Sequence, residues 1–205
     1  MKHLARIMLI GAPVALSLPV HADSINPAVQ YSSVTTLNDS RPFTLGYTFT
    51  LSTSFDVNAL GAWYNGSGES EEVGIWDSNG NLLVSTTVSN TAPVIDNFQW
   101  NDVSYTLGPG SYTIGAEFNN DGGSDGFPSG AAGVTTLAGY TYGTDEQDQA
   151  SGLNYPTDTT GGYGANGILY ADFSEASPVP EPSSLLLLGT GLLGAMGAIW
   201  RKIKG

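Results

Sequence analysis

FTLGYTFTL, residues 43–51, places a large apolar residue at every second position. Phe43, Leu45, Tyr47, Phe49 and Leu51 alternate with Thr44, Gly46, Thr48 and Thr50. A period of two lines one face of a strand, whereas a helix repeats every 3.6 residues. The stretch therefore reads as a half-buried β-strand. The alternation returns in SYTIGAEF, residues 111–118. Phe43, Leu45, Tyr47, Phe49, Ile114, Ala116 and Phe118 are thus expected to point into one core between two sheets.

Outward from this strand the same grammar continues. Phe55 to Tyr64, Glu72 to Trp76, Leu82 to Val88, Phe98 to Leu107, Val134 to Tyr142 and Ile168 to Phe173 read as further strands. Asn79-Gly80, in GIWDSNGNLLVS, predicts a type I′ hairpin. Gly108-Pro109-Gly110 predicts another turn. No helical period occurs outside the two termini. About eight short strands parted by turn residues predict an all-β fold, an antiparallel β-sandwich of jelly-roll type. Two stretches rich in Gly, Asp, Asn and Ser, Asn119 to Gly133 and Thr144 to Gly167, read as long loops. The runs ALGAWYNGSGESEEVGIWDSNGNLLVSTTV and YTLGPGSYTIGAEF are similar to a bacterial β-sandwich family of unknown function. That resemblance spans about residues 43–118, implies the sandwich, and brings no catalytic residue with it.

The ends are of another kind. Lys2 and Arg6 precede an apolar run, Ile7 to Leu18, and Val20-His21-Ala22 puts small residues at the −3 and −1 positions. This is the pattern of a signal peptide, so a signal helix over 1–22 with cleavage between Ala22 and Asp23 is expected. At the other end no residue from Ser183 to Trp200 is charged. A helix of that length is roughly 27 Å long, close to the hydrocarbon core of a bilayer. Trp200 then suits the interface, and Arg201, Lys202 and Lys204 suit the cytoplasmic side. The expected organisation is a signal peptide (1–22), a sandwich domain (23–173), a linker (174–182), a single transmembrane helix (183–200) and a basic cytoplasmic tail (201–205).

Val179-Pro180-Glu181-Pro182, the apolar run and the basic end stand in the order of the PEP-CTERM sorting signal of Gram-negative bacteria, which they resemble. The resemblance implies a substrate of exosortase, a membrane transpeptidase-like protease acting at or near Pro180, Glu181 and Pro182. It also implies a setting in which extracellular polysaccharide is made. Proline lacks an N–H and fixes φ, so Pro180 and Pro182 hold the motif extended, outside any helix.

Composition excludes several chemistries. Between Asp23 and Val179 there is one cation, Arg41, against 18 of the 19 acids, a side-chain net charge of −17. Such a surface repels nucleic acid, so no nucleic-acid partner is expected. The chain has no cysteine, and its two histidines, His3 and His21, fall in the signal segment. The body also lacks lysine. A Ser-His-Asp triad, a Cys-His dyad, a histidine-ligated zinc and a Schiff-base lysine are therefore excluded from it. Carboxylate, tyrosine and hydroxyl chemistry are left.

Three acidic segments are candidate sites. Asp77-Ser78-Asn79-Gly80-Asn81 begins like a calcium loop but has Leu82 at the sixth position and Val88 at the twelfth, so it reads as a hairpin turn. Asn119, Asp121 and Asp125 lie in a glycine-rich stretch that could fold back around calcium, the candidate cofactor. Glu69, Glu71 and Glu72 read as an acidic solubilising loop beside Trp63 and Tyr64. Trp63, Trp76, Trp100 and the tyrosines serve either a sugar-stacking platform or the core, with the core expected for most.

The expected protein is an exported, membrane-anchored one, freed to the cell surface or extracellular matrix after tail processing. Its body is non-catalytic, its partners the membrane, exosortase and a polysaccharide of the matrix or biofilm. The alternative from another class is a carboxylate-dependent polysaccharide hydrolase, which would need two carboxylates facing each other across a cleft.

Overall fold

A computed structural model describes residues 25–64, 66, 68–118, 125–159 and 171–176. In chain order the strands are β1 (Val29–Gln30), β2 (Ser33–Asp39), β3 (Phe43–Leu51), β4 (Phe55–Trp63), β5 (Glu71–Asp77), β6 (Leu82–Val88) and β7 (Val94–Ile95). They continue as β8 (Phe98–Leu107), β9 (Gly110–Phe118), β10 (Asp125–Ala132), β11 (Thr135–Thr136), β12 (Tyr140–Asp148), β13 (Asp158–Thr159) and β14 (Ala171–Glu175). The described chain is all-β, and every strand pair is antiparallel. Among the described residues no helix is long and apolar enough to cross a membrane. The expected signal helix and the helix over 183–200 lie outside the described residues.

The two larger sheets have the orders β13-β12-β3-β9-β5-β6 and β14-β4-β8-β7, and β1–β11 and β2–β10 form two-stranded ribbons. The pairs β5–β6, β4–β8 and β3–β9 are nested in the chain. They form one long antiparallel ribbon, and pairing of β9 with β5 rolls it up. The core lies where the two sheets face each other. Phe49 of β3 sets its ring 5.3 Å from Phe173 of β14, 5.1 Å from Tyr140 and 5.5 Å from Tyr112. Phe43, Leu45, Tyr47, Phe49, Ile114, Ala116 and Phe118 are all buried, as the alternation requires.

Several expectations need correction. Asn119 to Gly133 is not a loop throughout, because β10 pairs along β2, which composition did not reveal. Pro128 sits in β10 at a register shift of a two-stranded ribbon, where a missing N–H breaks no interior ladder. Phe127 anchors this ribbon by packing its ring 5.7 Å from Phe118. Thr144 to Gly167 likewise contains the second half of β12 and the short β13. The strand expected over Val134 to Tyr142 is broken, with Gly139 at a φ of 89° between β11 and β12.

The β5–β6 turn is not type I′. That turn needs positive φ at both central residues, and Gly80 alone has it, at 80°. Asp77 shapes this turn by accepting the N–H groups of Asn79 and Asn81 and the side-chain amide of Asn81, each at 2.9 Å. A pair with positive φ at both centres does occur, at Asp96 (51°) and Asn97 (68°), in the two-residue loop between β7 and β8. Asparagine and aspartate tolerate the left-handed region better than other side chains do, which explains a hairpin without glycine.

Candidate functional site

The outer face of the six-stranded sheet is where unusual chemistry collects. Gly46, Gly115 and Gly74 sit side by side on β3, β9 and β5. Their neighbours Leu45, Tyr47, Ile114, Ala116, Val73 and Ile75 point into the core, so this row of glycines faces outward. The missing side chains leave a trough across three strands. Residues 149–157 fill it as a strap. Leu153 lies against Gly74 and Pro156 against Gly115. The Thr44 hydroxyl pins the strap, donating to the Gly152 carbonyl (3.2 Å) and accepting the Asn154 N–H (2.8 Å). Trp76 also lies on this outer side, 4% exposed, with Tyr155 of the strap 6.0 Å away. It is not part of the inter-sheet core. Trp63 and Trp100 are in that core.

Beside the strap a groove of about 350 Å³ stays open. Its floor carries Thr48 and Thr50 of β3, Ser111 and Thr113 of β9, and Thr141 of β12, and its wall is Ser78 and Tyr155. Thr141, Thr50 and Ser111 are in register on adjacent strands, so their exposed hydroxyls form a row. The Thr48 hydroxyl is occupied at 2.8 Å by the Thr144 N–H, at the irregularity between Tyr142 and Asp145. None of the residues lining the groove is charged. By sequence alone these threonines are only the solvent side of strands. The signal was the run Thr44, Thr48, Thr50, in which every outward side chain but Gly46 carries a hydroxyl.

A second cavity, about 300 Å³, is lined by Val29, Gln30, Tyr31, Asp96 and Asn97. Neither cavity is lined by two carboxylates. The most buried acid, Asp172, accepts N–H groups of Phe173 (2.8 Å) and Val29 (3.3 Å). Burial pushes its carboxyl well above the usual carboxylate range. Tyr47 bears on this carboxyl and Tyr140 on Tyr47, though neither hydroxyl reaches strict hydrogen-bond geometry. Burial drives both phenols far above their ordinary value. At 1% exposure Asp172 has no solvent face for a substrate to reach. Next to it in the core, Tyr47 stacks on Tyr142 at 4.6 Å, and the Tyr142 hydroxyl donates to Asp145.

The expected acidic sites are distributed otherwise. Asn119 and Asp121 lie outside the described residues, and Asp125 opens β10 opposite Asp39. Among the described residues no cluster of three metal-ligating side chains occurs. Glu71 and Glu72 are not in a loop but begin β5, with Glu71 buried opposite Val88. Arg41 reaches Asp39 at 2.6 Å and lies 4.9 Å from the centre of the Phe43 ring. Its hydrogen bonds hold the Asp39 carboxyl below the ordinary range.

Pro180, Glu181 and Pro182, with Arg201, Lys202 and Lys204, also lie outside the described residues. No curated protein and no solved structure matches the chain. The resemblance of residues 43–118 to a sandwich family of unknown function is not confirmed by these comparisons. A family model, the PEP-CTERM protein-sorting motif, matches residues 178–202. That match takes in the Pro-Glu-Pro triplet, the uncharged run and the first two cations of the basic end, and by that segment the chain is a PEP-CTERM protein.

Proposed function

We propose that this protein is exported by a Gram-negative bacterium, held in the membrane by residues 183–200, and then processed by exosortase to the cell surface or extracellular matrix. The match over residues 178–202 carries this reading. The body is a non-catalytic, jelly-roll-like sandwich that associates with exopolysaccharide or biofilm. The signal peptide starts export, the apolar helix halts it, and Arg201, Lys202 and Lys204 stay inside. Pro180-Glu181-Pro182 then sits at the outer boundary of the membrane. There a protease meets an extended peptide with no helical hydrogen bonds to break. Glu181→Ala leaves the body folded and the tail inserted but blocks processing in a host with exosortase. An immunoblot of membrane and medium fractions, with and without that enzyme, reads the result. Equal membrane retention of wild type and variant in both hosts reduces the tail to a plain anchor.

Calcium at Asn119, Asp121 and Asp125 is part of the same proposal. A ligand that binds only the folded state raises its melting temperature. Added calcium is expected to do so for the wild type and not for Asp121→Ala or Asp125→Ala. A gain that survives both substitutions reflects general screening of the −17 charge.

A further inference from the structure

The groove on the outer face is the place where the body departs from its own average. The body carries a net charge of −17, yet the groove is lined by uncharged residues alone. An anionic ligand is repelled by the surroundings, and a cationic one finds no carboxylate to pair with. The floor offers hydroxyls, each both donor and acceptor. Thr141, Thr50 and Ser111 set theirs across β12, β3 and β9 at the strand spacing, about 4.8 Å. None of these three hydroxyls is engaged by another described residue. At the side stands the half-buried ring of Tyr155, held in place by the strap that Thr44 pins. The hydroxyl ladder runs across strands on the face of the sheet, whereas an added peptide strand would pair along an edge. A volume of about 350 Å³ falls within the range of small-ligand sites.

We propose that this groove is the ligand site of the body and takes a neutral saccharide chain lying across β12, β3 and β9, its hydroxyls exchanging hydrogen bonds with Thr50, Ser111 and Thr141 and a ring face resting on Tyr155. This deepens the reading of the body as a non-catalytic module associated with polysaccharide, and it rests on that reading.

The test is affinity electrophoresis of the full chain in a polyoxyethylene detergent, which carries no sugar head group. The gels contain a soluble mixed-linkage β-glucan, a galactomannan or dextran, with alginate as the anionic control. Retardation by at least one neutral polymer and not by alginate is expected. Thr50→Val with Thr141→Val preserves shape and removes two hydroxyls. Tyr155→Ala removes the wall. Each raises the dissociation constant about tenfold or more, while Tyr155→Phe keeps the ring and the binding. The double valine variant is expected to melt with the wild type, so its loss of binding is not a loss of fold. No retardation by any neutral polymer, or equal retardation of wild type and the double valine variant, overturns the groove. The fate of the tail is read separately. Normal processing without retardation overturns the groove and leaves the sorting reading standing, and retardation without processing does the reverse.

Discussion

Gly46→Ala lowers the melting temperature by roughly 10 °C, on the order of 3 kcal/mol at 2–4 °C per kcal/mol for a domain of this size. A methyl group at Gly46 meets the backbone oxygen of Ile114 at 1.9 Å and the Cα of Gly115 at 2.7 Å. Backbone atoms of a paired strand have no rotamer to escape into, so β3 must part from β9 in the middle of the sheet. The same substitution at other glycines gives a graded series. At Gly74 the nearest atoms are Leu82 Cδ1 (2.9 Å) and Leu153 Cδ2 (3.0 Å), ends of flexible side chains, so a loss of about 1 kcal/mol is expected. At Gly108 nothing lies within 4 Å, and alanine there is neutral or slightly stabilising. Thermal unfolding followed by circular dichroism ranks the three. Equal losses at all three would show that general backbone entropy, and not the close approach of β3 and β9, sets the cost.

Stability is expected to be greatest at about pH 4.5 and to fall as pH rises from there. The cause is Asp172, whose buried carboxyl holds its proton in the folded state well above the pH at which the unfolded chain releases it. An acid with a raised folded pKa contributes stability that is full below the unfolded value, about 3.9, and is lost as pH rises through the folded one. One proton limits the slope to about 1.4 kcal/mol per pH unit. Glu146 and Glu175, also raised by burial, add the same sign more weakly. Asp39 and Asp77 act oppositely, since hydrogen bonds lower both, and their stability is lost only as pH falls below the ordinary aspartate range. Self-repulsion of the −17 body works in the same direction as Asp172. Asp172→Asn separates the two: it flattens the slope above about pH 5 if the buried carboxyl is responsible. An unchanged slope assigns the effect to surface charge.

Elements whose pattern is local were readable from the chain. β3, β6 and β8 begin and end where alternation and turn residues place them. Elements stabilised from outside were not. β10 reads as a loop because Gly126, Pro128 and Gly130 are poor strand formers, and only its pairing with β2 makes it a strand. The position of the turn at Asn79-Gly80 is legible in the chain but its type is not, because Asp77 closes it from outside the central dipeptide. At the groove, each threonine was visible, but its neighbours across the sheet were not. Register decides which hydroxyls stand together, and register follows from pairing partners far along the chain.

The sequence by itself determined the sorting motif over residues 178–202, the all-β body, the inward set of apolar residues and the chemistries that a body without histidine, cysteine or lysine cannot perform. Those features reside in order, period and composition, which the chain carries without folding. Only the tertiary structure decided that three glycines align into a trough, that residues 149–157 strap it, and that an uncharged groove opens beside it. It also decided that Asp172 is sealed in the core and Glu71 is buried, while Asp56 and Asp102 stay exposed. These depend on which strands become neighbours, and that choice is made by burial of the whole apolar set at once.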